Sequence, residues 1–175
     1  MGFVFAAVFL WLAKPGPRSI LTSVALVAAG LWLRGYAAGY VKKNMELTTT
    51  GPYAYTRNPL YLGSMLIAFG FSAAAGSWII FTALAVLFAA IYGPTIQSEE
   101  AWLREHFAEF EEYARRVPRL LPRLTPASLP EEGDHTRARG AFSWALYRKH
   151  REYNALMGAA AIYLALALKF AVLRR

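Results

Sequence analysis

The segment GPYAYTRNPLYLGS, residues 51–64, places three tyrosines, one arginine, two prolines and two glycines within fourteen positions. Proline suits the first position of a helix, where its missing N–H is not needed, so Pro59 predicts a helix start and Asn58 a plausible cap. The tyrosines surround Arg57 beside the free N–H groups of that helix start, which can hold a ligand with an aromatic and an anionic part. A turn with interfacial tyrosines is the simpler interpretation, and the local pattern does not decide between them.

A second candidate segment, SEEAWLREHFAEFEEYARRVPR, covers residues 98–119. Its apolar residues recur at helical spacing, and Glu99 falls on the same stripe. A carboxylate on the buried face of a helix that leaves a membrane is costly unless it is paired or used, so Glu99 is a functional candidate. Glu111 and Glu112 each precede an arginine by four residues, the spacing of ordinary surface ion pairs. Glu100 has the same spacing, and periodicity leaves its role undecided.

A third segment, WALYRKHREYN, covers residues 144–154. Trp144, Arg148 and Arg151 could form an anion-binding face near lipid headgroups, and they are the candidate substrate contacts. A basic interfacial helix with an aromatic belt is the simpler interpretation, and the pattern favours it.

Several classes of chemistry find no motif in this chain. There is no cysteine, which excludes disulfides and a thiol nucleophile. His106 has no second histidine nearby, so we expect no metal site, and His135 and His150 are expected to be solvated. The phosphate-binding GxxxxGK[ST], HExxH and GxSxG motifs do not occur, so a soluble nucleotide-binding domain is not expected.

The elements that must position these residues are apolar helices. The chain is 57% hydrophobic over 175 residues, which is too apolar for an ordinary soluble domain. The last apolar run, residues 155–173, could be continuous with a polar helix that begins at Ala141. Residues 99–139 form a soluble face, with one amphipathic helix, a proline-punctuated extended stretch and an exposed loop at 131–140. The predicted apolar helices cover residues 2–13, 19–41, 60–75, 78–96 and 155–173, with a tight hairpin at Gly76-Ser77 between the third and fourth.

We therefore predict an all-α polytopic membrane protein, one domain over residues 1–175, with about five transmembrane helices. The net charge is +8, and a membrane surface is the expected anionic partner rather than nucleic acid. Fourteen lysines and arginines fall in the regions 34–58 and 97–154, against five on the other side. By the positive-inside rule, the first side is expected to be cytoplasmic.

Together, the first two segments resemble the isoprenylcysteine carboxyl methyltransferase and phospholipid methyltransferase superfamily. The family pattern is similar to GPY-x-x-x-RHP-x-Y-x-G followed by EE-x-x-L-x-x-x-FG-x-x-Y-x-x-Y-x-x-x-VPR, around a charge-free hairpin. The motifs cover residues 51–119, the matched core is about 19–126, and 127–175 lies outside it. The family histidine is Asn58 here, as in the NPMYWGS of some phosphatidylethanolamine methyltransferases, while FG is Phe107-Ala108 and the first tyrosine of the pair is Phe110.

The resemblance implies S-adenosylmethionine as cofactor, in a pocket at the cytoplasmic ends of the helices. Aromatic faces suit the sulfonium and adenine, and arginine suits the cofactor carboxylate. Arg57 and Glu99 are the candidate catalytic residues, and Glu99 also suits ribose hydroxyls or the cofactor ammonium. The implied cofactor contacts are Tyr53, Arg57, Asn58, Pro59, Tyr61, Gly63, Glu99, Glu100, Leu103, Tyr113, Val117, Pro118 and Arg119.

The resemblance also implies a lipid-like acceptor, either a prenylated carboxylate or a phospholipid amine. A carboxylate is ionised at neutral pH and needs no base, whereas an amine must lose a proton, which Glu99 or Glu100 could take. Two alternatives stay open. One is an NADPH-dependent membrane reductase, with arginines 115, 116, 119 and 123 on the 2′-phosphate. The other is a non-enzymatic protein that binds anionic lipid. No metal is expected, and the oligomeric state is not specified.

Overall fold

The computed structural model describes residues 2–42, 46–127 and 141–173, and all regular structure within these ranges is helical. This confirms the all-α prediction. The exposed loop predicted at 131–140, with His135, lies outside the described residues. A short 3-10 helix, Gly51–Ala54, carries the first motif. The α-helices are α1 (Gly2–Leu12), α2 (Pro17–Ala38), α3 (Pro59–Ala75), α4 (Trp78–His106), α5 (Phe110–Arg116), α6 (Trp144–Lys149) and α7 (Tyr153–Leu173).

Three helices in the described ranges, α2, α4 and α7, are long and apolar enough to cross a membrane. The apolar helix α3 has 17 residues, or about 26 Å at 1.5 Å per residue, slightly short of a ~30 Å hydrocarbon core. The 11 residues of α1 extend only about 16 Å. A polytopic membrane fold follows, although α1 is too short to be one of the five crossings that the sequence predicts.

Helices α2 and α3 pack backbone against backbone through glycines. A Cβ on Gly30 of α2 would lie 2.6 Å from the carbonyl oxygen of Gly63 on α3. A Cβ on Gly63 would lie 2.6 Å from Cγ of Arg34. Small residues allow this close approach in lipid, where van der Waals packing drives helix association. The packing fixes Arg34 of α2 beside the first turns of α3.

The α3–α4 hairpin turns at Gly76, whose φ of +61° is the left-handed conformation that glycine adopts freely. The sequence predicted that α4 ends at residue 96, but the helix continues through Pro94 to His106. Proline is tolerated inside membrane helices, because neighbouring groups satisfy the freed backbone. The amphipathic helix predicted within 99–119 is therefore split into the last turns of α4 and the separate α5.

The C-terminal segment forms two helices rather than one continuous helix. Between α6 and α7 the backbone of Arg151 has a φ of +53°, which is uncommon for a residue other than glycine. At the other end of α7, Lys169 Nζ donates hydrogen bonds to the carbonyl groups of Leu10, Trp11 and Ala13. These three carbonyls close the C-terminal end of α1, so Lys169 ties α7 to α1.

Candidate functional site

A cavity of about 630 Å³ lies where the C-terminal end of α2, the start of α3 and the end of α4 meet. Its volume is within the range of small-molecule sites. The bend between α6 and α7 closes one side of it. The cavity is lined by Arg34, Ala38, Val41, Lys42, Glu46, Leu47, Thr48, Tyr53, Arg57, Asn58, Pro59, Leu60, Tyr61, Ser64, Tyr92, Glu99, Glu100, Trp102, Leu103, Phe107, Phe110, Tyr113, His150 and Glu152.

The two sequence motifs hold each other through backbone hydrogen bonds. The N–H of Arg57 donates to the carbonyl of Pro118 at 2.9 Å, and the N–H of Arg123 donates to the carbonyl of Tyr55 at 3.0 Å. The Tyr113 hydroxyl donates to the carbonyl of Tyr53 at 2.9 Å. Burial raises the pKa of both Tyr53 and Tyr113 above the usual tyrosine range, so both phenols are neutral at physiological pH. The segment around residue 55 is thus fixed against the tail of the second motif.

Asn58 does not cap α3 with its side chain, contrary to the prediction. Its Nδ2 donates instead to the carbonyl of Arg119 at 2.8 Å. Because that partner lies 61 residues away, no local pattern could have indicated the bond. Asn58 therefore joins the two motifs at the position where the family pattern has a histidine.

Glu100 is the buried carboxylate of the site, with 3% of its surface exposed. Arg119 donates to it twice, from Nε at 3.1 Å and from Nη2 at 2.7 Å. Arg57 Nη1 lies 3.2 Å and Arg104 Nη2 4.0 Å from its carboxylate oxygens. The sequence predicted that Glu99 lies on the buried face of α4. The segment that carries Arg119 instead covers the face on which Glu100 lies. Glu100 thus contacts three arginines, and we call these four side chains the Glu100 centre. It is not half of an ordinary surface pair.

Arg57 retains an unused donor in this centre. Its Nε is buried and has no hydrogen-bond partner among the described residues. Its guanidinium lies 6.0 Å from the ring centroid of Phe110. Burial lowers the pKa of Arg57, and the charge of Glu100 opposes that shift. Hydrogen bonds to Glu100 raise the pKa of Arg119. A buried guanidinium N–H without a partner is costly and therefore points to a ligand acceptor.

Glu99 lies on the exposed side of α4, so its predicted place on the buried stripe is wrong. It still lines the cavity, and it accepts a hydrogen bond of 2.9 Å from the Tyr61 hydroxyl. The Tyr61 ring packs against Tyr92 with centroids 4.8 Å apart. This corner combines a carboxylate with two aromatic faces.

The opposite side of the cavity was not identified from the sequence. Arg34 binds Glu152 through two hydrogen bonds, from Nε at 2.9 Å and from Nη2 at 2.8 Å. His150, expected to be solvated, is half-buried and lines the cavity, and its Nδ1 lies 3.0 Å from the carbonyl oxygen of Ala38. An arginine inside the apolar run of α2 was a usable signal. Glu152 had none, because its segment carries no motif.

The thirteen predicted cofactor contacts divide into two groups. Nine of the thirteen cofactor candidates line the cavity: Tyr53, Arg57, Asn58, Pro59, Tyr61, Glu99, Glu100, Leu103 and Tyr113. The other four do not line the cavity. Gly63 packs on α2, Val117 is buried with Tyr113, the Pro118 carbonyl accepts from Arg57, and Arg119 pairs with Glu100.

The predicted substrate contacts Trp144, Arg148 and Arg151 are exposed and do not line the cavity. Their segment contributes the neighbouring side chains His150 and Glu152 instead. Among the described residues, no group of three His, Asp or Glu side chains is placed to hold a metal ion.

Comparison with known proteins identifies the family to which the chain belongs. Residues 16–109, 94 of the 175, match the phospholipid methyltransferase family. The chain is 40% identical over 106 residues, 60% of its length, to the cobalt-zinc-cadmium resistance protein CzcN of Cupriavidus metallidurans, covering 48% of that protein. It is 39% identical, again over 60% of its length, to the nickel-cobalt-cadmium resistance protein NccN of Alcaligenes xylosoxydans xylosoxydans, covering 49% of it.

A third relative is the protein-S-isoprenylcysteine O-methyltransferase of Schizosaccharomyces pombe, 31% identical over 103 residues, which are 58% of the chain and 44% of the relative. The chain thus spans about half the length of the curated relatives that it matches. No solved structure gives a significant match.

Proposed function

Because the chain belongs to the phospholipid methyltransferase family, we propose that it is an integral membrane methyltransferase that uses S-adenosylmethionine to methylate a lipid-like acceptor. One observation carries the proposal. Both motifs of the family pattern line a single cavity of about 630 Å³ at the ends of the apolar helices. That position lets an acceptor keep its apolar chain in lipid while its polar end enters the cavity. We also propose that this end of the molecule faces the cytoplasm.

The residues of the cavity fit the cofactor. Arg57 Nε offers the buried, unused donor that a carboxylate of the amino acid end would accept from. Glu99 offers oxygens to the ribose hydroxyls or the ammonium, and Tyr61 and Tyr92 offer faces for a cation or for adenine. When bound, the cofactor supplies a methyl group that its sulfonium activates.

The main task of the chain's own residues is to align the methyl donor with the acceptor. In-line transfer needs the acceptor and donor held at reacting distance, a contribution of roughly 7–11 kcal/mol in the best intramolecular cases. The backbone bonds between the two motifs and the Glu100 centre hold the donor side rigid. On the other side, the Ala38 carbonyl can only accept, so Nδ1 of His150 carries the hydrogen. Nε2 is then the ring nitrogen that would take a proton from an amine.

The geometry of the cavity does not support the reductase alternative. Its basic set does not line the cavity. Within that set, Arg119 is bound to Glu100, Arg116 to Glu112, and Arg123 to the carbonyl of Arg116.

The test is calorimetric titration of the detergent-purified chain with S-adenosylhomocysteine and, separately, with NADPH. We expect saturable binding of the first alone. Glu99→Gln should weaken it roughly tenfold, because a hydrogen bond to a charged group contributes about 1.5–3 kcal/mol. Glu112→Gln, on the outer face of α5, is the control and should bind as the wild type does. Absence of S-adenosylhomocysteine binding, or binding of NADPH alone, would overturn the proposal.

A further inference from the structure

The cavity wall carries its charges in pairs. Each of the three cations that line it in the described ranges contacts a carboxylate. Lys42 Nζ lies 2.8 Å from Glu46, Arg57 3.2 Å from Glu100, and Arg34 2.8 Å from Glu152. A fourth carboxylate, Glu99, accepts a hydrogen bond from a tyrosine rather than from a cation. Because Arg104 and Arg119 also contact Glu100, Glu99 is the carboxylate of the described lining that no cation contacts, and it favours a positively charged occupant.

The Arg34–Glu152 pair occupies the bidentate Nε–Nη2 edge of the guanidinium. Nε and Nη2 form the two parallel bonds to the carboxylate, and Nη1 donates to the hydroxyl of Ser64 at 2.5 Å. The Glu152 side chain is 9% exposed and that of Arg34 26%. A bidentate pair of this kind fixes both orientation and charge. An entering anion could bind this edge of Arg34 only by displacing Glu152.

The bend at Arg151 presents Glu152 to the cavity. With a φ of +53°, Arg151 stays exposed while His150 and Glu152, its two neighbours, line the cavity. Glu152 lies 118 residues from Arg34 and outside the stretch 16–109 that matches the family. The counter-ion of Arg34 is thus a contribution of this chain's own C-terminal segment.

We propose that Glu152 is the specificity-determining residue of the acceptor site. By neutralising Arg34, it disfavours amphiphiles that end in a carboxylate and leaves the site to amphiphiles that end in an amine. Without Glu152, the unpaired, partly buried guanidinium of Arg34 would attract the carboxylate instead. The inference rests on the proposed function, since it names the class of acceptor that the same cavity receives.

The experiment titrates the full detergent-purified chain with two amphiphiles of the same alkyl chain length, a primary alkylamine and a fatty carboxylate. The wild type should bind the amine more tightly. Glu152→Gln keeps the shape and one acceptor for Arg34 but removes the charge. It should raise carboxylate affinity by about tenfold, the scale of losing one close charge pair, and weaken amine binding. Glu112→Gln changes the same net charge on the outer surface and should leave the preference unchanged.

The double variant Arg34→Gln/Glu152→Gln separates specificity from packing. It removes both charges together, which is often nearly neutral for folding, and it should keep the wild-type preference for the amine. An unchanged amine-to-carboxylate ratio in Glu152→Gln, or a gain of carboxylate binding in the double variant, would overturn the inference. S-adenosylhomocysteine is titrated in parallel. Its failure to bind would refute the proposed function, whereas the amphiphile ratio decides the role of Glu152.

Discussion

Glu100 brings together arginines from three separate segments of the chain. Arg57 precedes α3, Arg104 lies one turn further along α4, and Arg119 follows α5. Because the carboxylate is 4% exposed, its charge is screened little by solvent, and its removal leaves a buried guanidinium without compensation. The cluster therefore holds this side of the cavity together.

Glu100→Gln should destabilise the folded chain by about 3–5 kcal/mol, the cost of breaking a buried ion pair. Glu112→Gln should change stability by less than about 1 kcal/mol, since its pair with Arg116 is half-exposed. Thermal unfolding of both variants in one detergent measures the difference. Equal effects would show that the Glu100 centre does not stabilise the fold.

At the residue scale, sequence could identify the motif residues but not their partners. Arg57, Tyr61 and Glu99 stand out by type and spacing, and all three line the cavity. The burial of Glu100 could not be predicted, because its partner Arg119 follows α5 and no helical periodicity can indicate that contact. Glu152 has no local signal at all, because its partner is 118 residues away.

At the element scale, the contact between α2 and α3 is extensive, and Gly30 lies in it. A methyl group at Gly30 would meet backbone of α3 at 2.6 Å and 2.9 Å. Gly30→Ala should therefore destabilise the chain by about 1–3 kcal/mol, as overpacking does. Gly158, in α7, has nothing within 4 Å of such a methyl group. Gly158→Ala should instead stabilise by about 0.5–1 kcal/mol through helix propensity. Unfolding midpoints that move in the same direction would contradict this contrast.

The helix boundaries show which signals decide an element. The start of α3 at Pro59 and its end at Gly76 were predictable, because proline and glycine act there through local backbone geometry. The end of α4 was not, since the charge-free run ends at Ile96 whereas the helix continues through polar and charged residues to His106. The break at Arg151 was missed because arginine rarely adopts a positive φ.

At the scale of the whole molecule, the cavity end and the α3–α4 hairpin lie at opposite ends of the apolar helices. The chain has no cysteine, so single cysteines can report on which side each end lies. Thr125→Cys marks the cavity end and Ser77→Cys the hairpin, and neither changes the charge. A membrane-impermeant maleimide should label Ser77→Cys on intact spheroplasts and Thr125→Cys only in inside-out vesicles. The reverse pattern would refute the cytoplasmic orientation of the site.

Lys169 has a consequence for how the chain is made. The carbonyl groups that it binds at the end of α1 precede it by 156 to 159 residues. At a synthesis rate of about 5–20 residues per second, those carbonyls wait on the order of ten to thirty seconds for their partner. Until then, only water or lipid headgroups can satisfy them. The hydrogen bonds at the C-terminal end of α1 are thus completed only after α7 has been made.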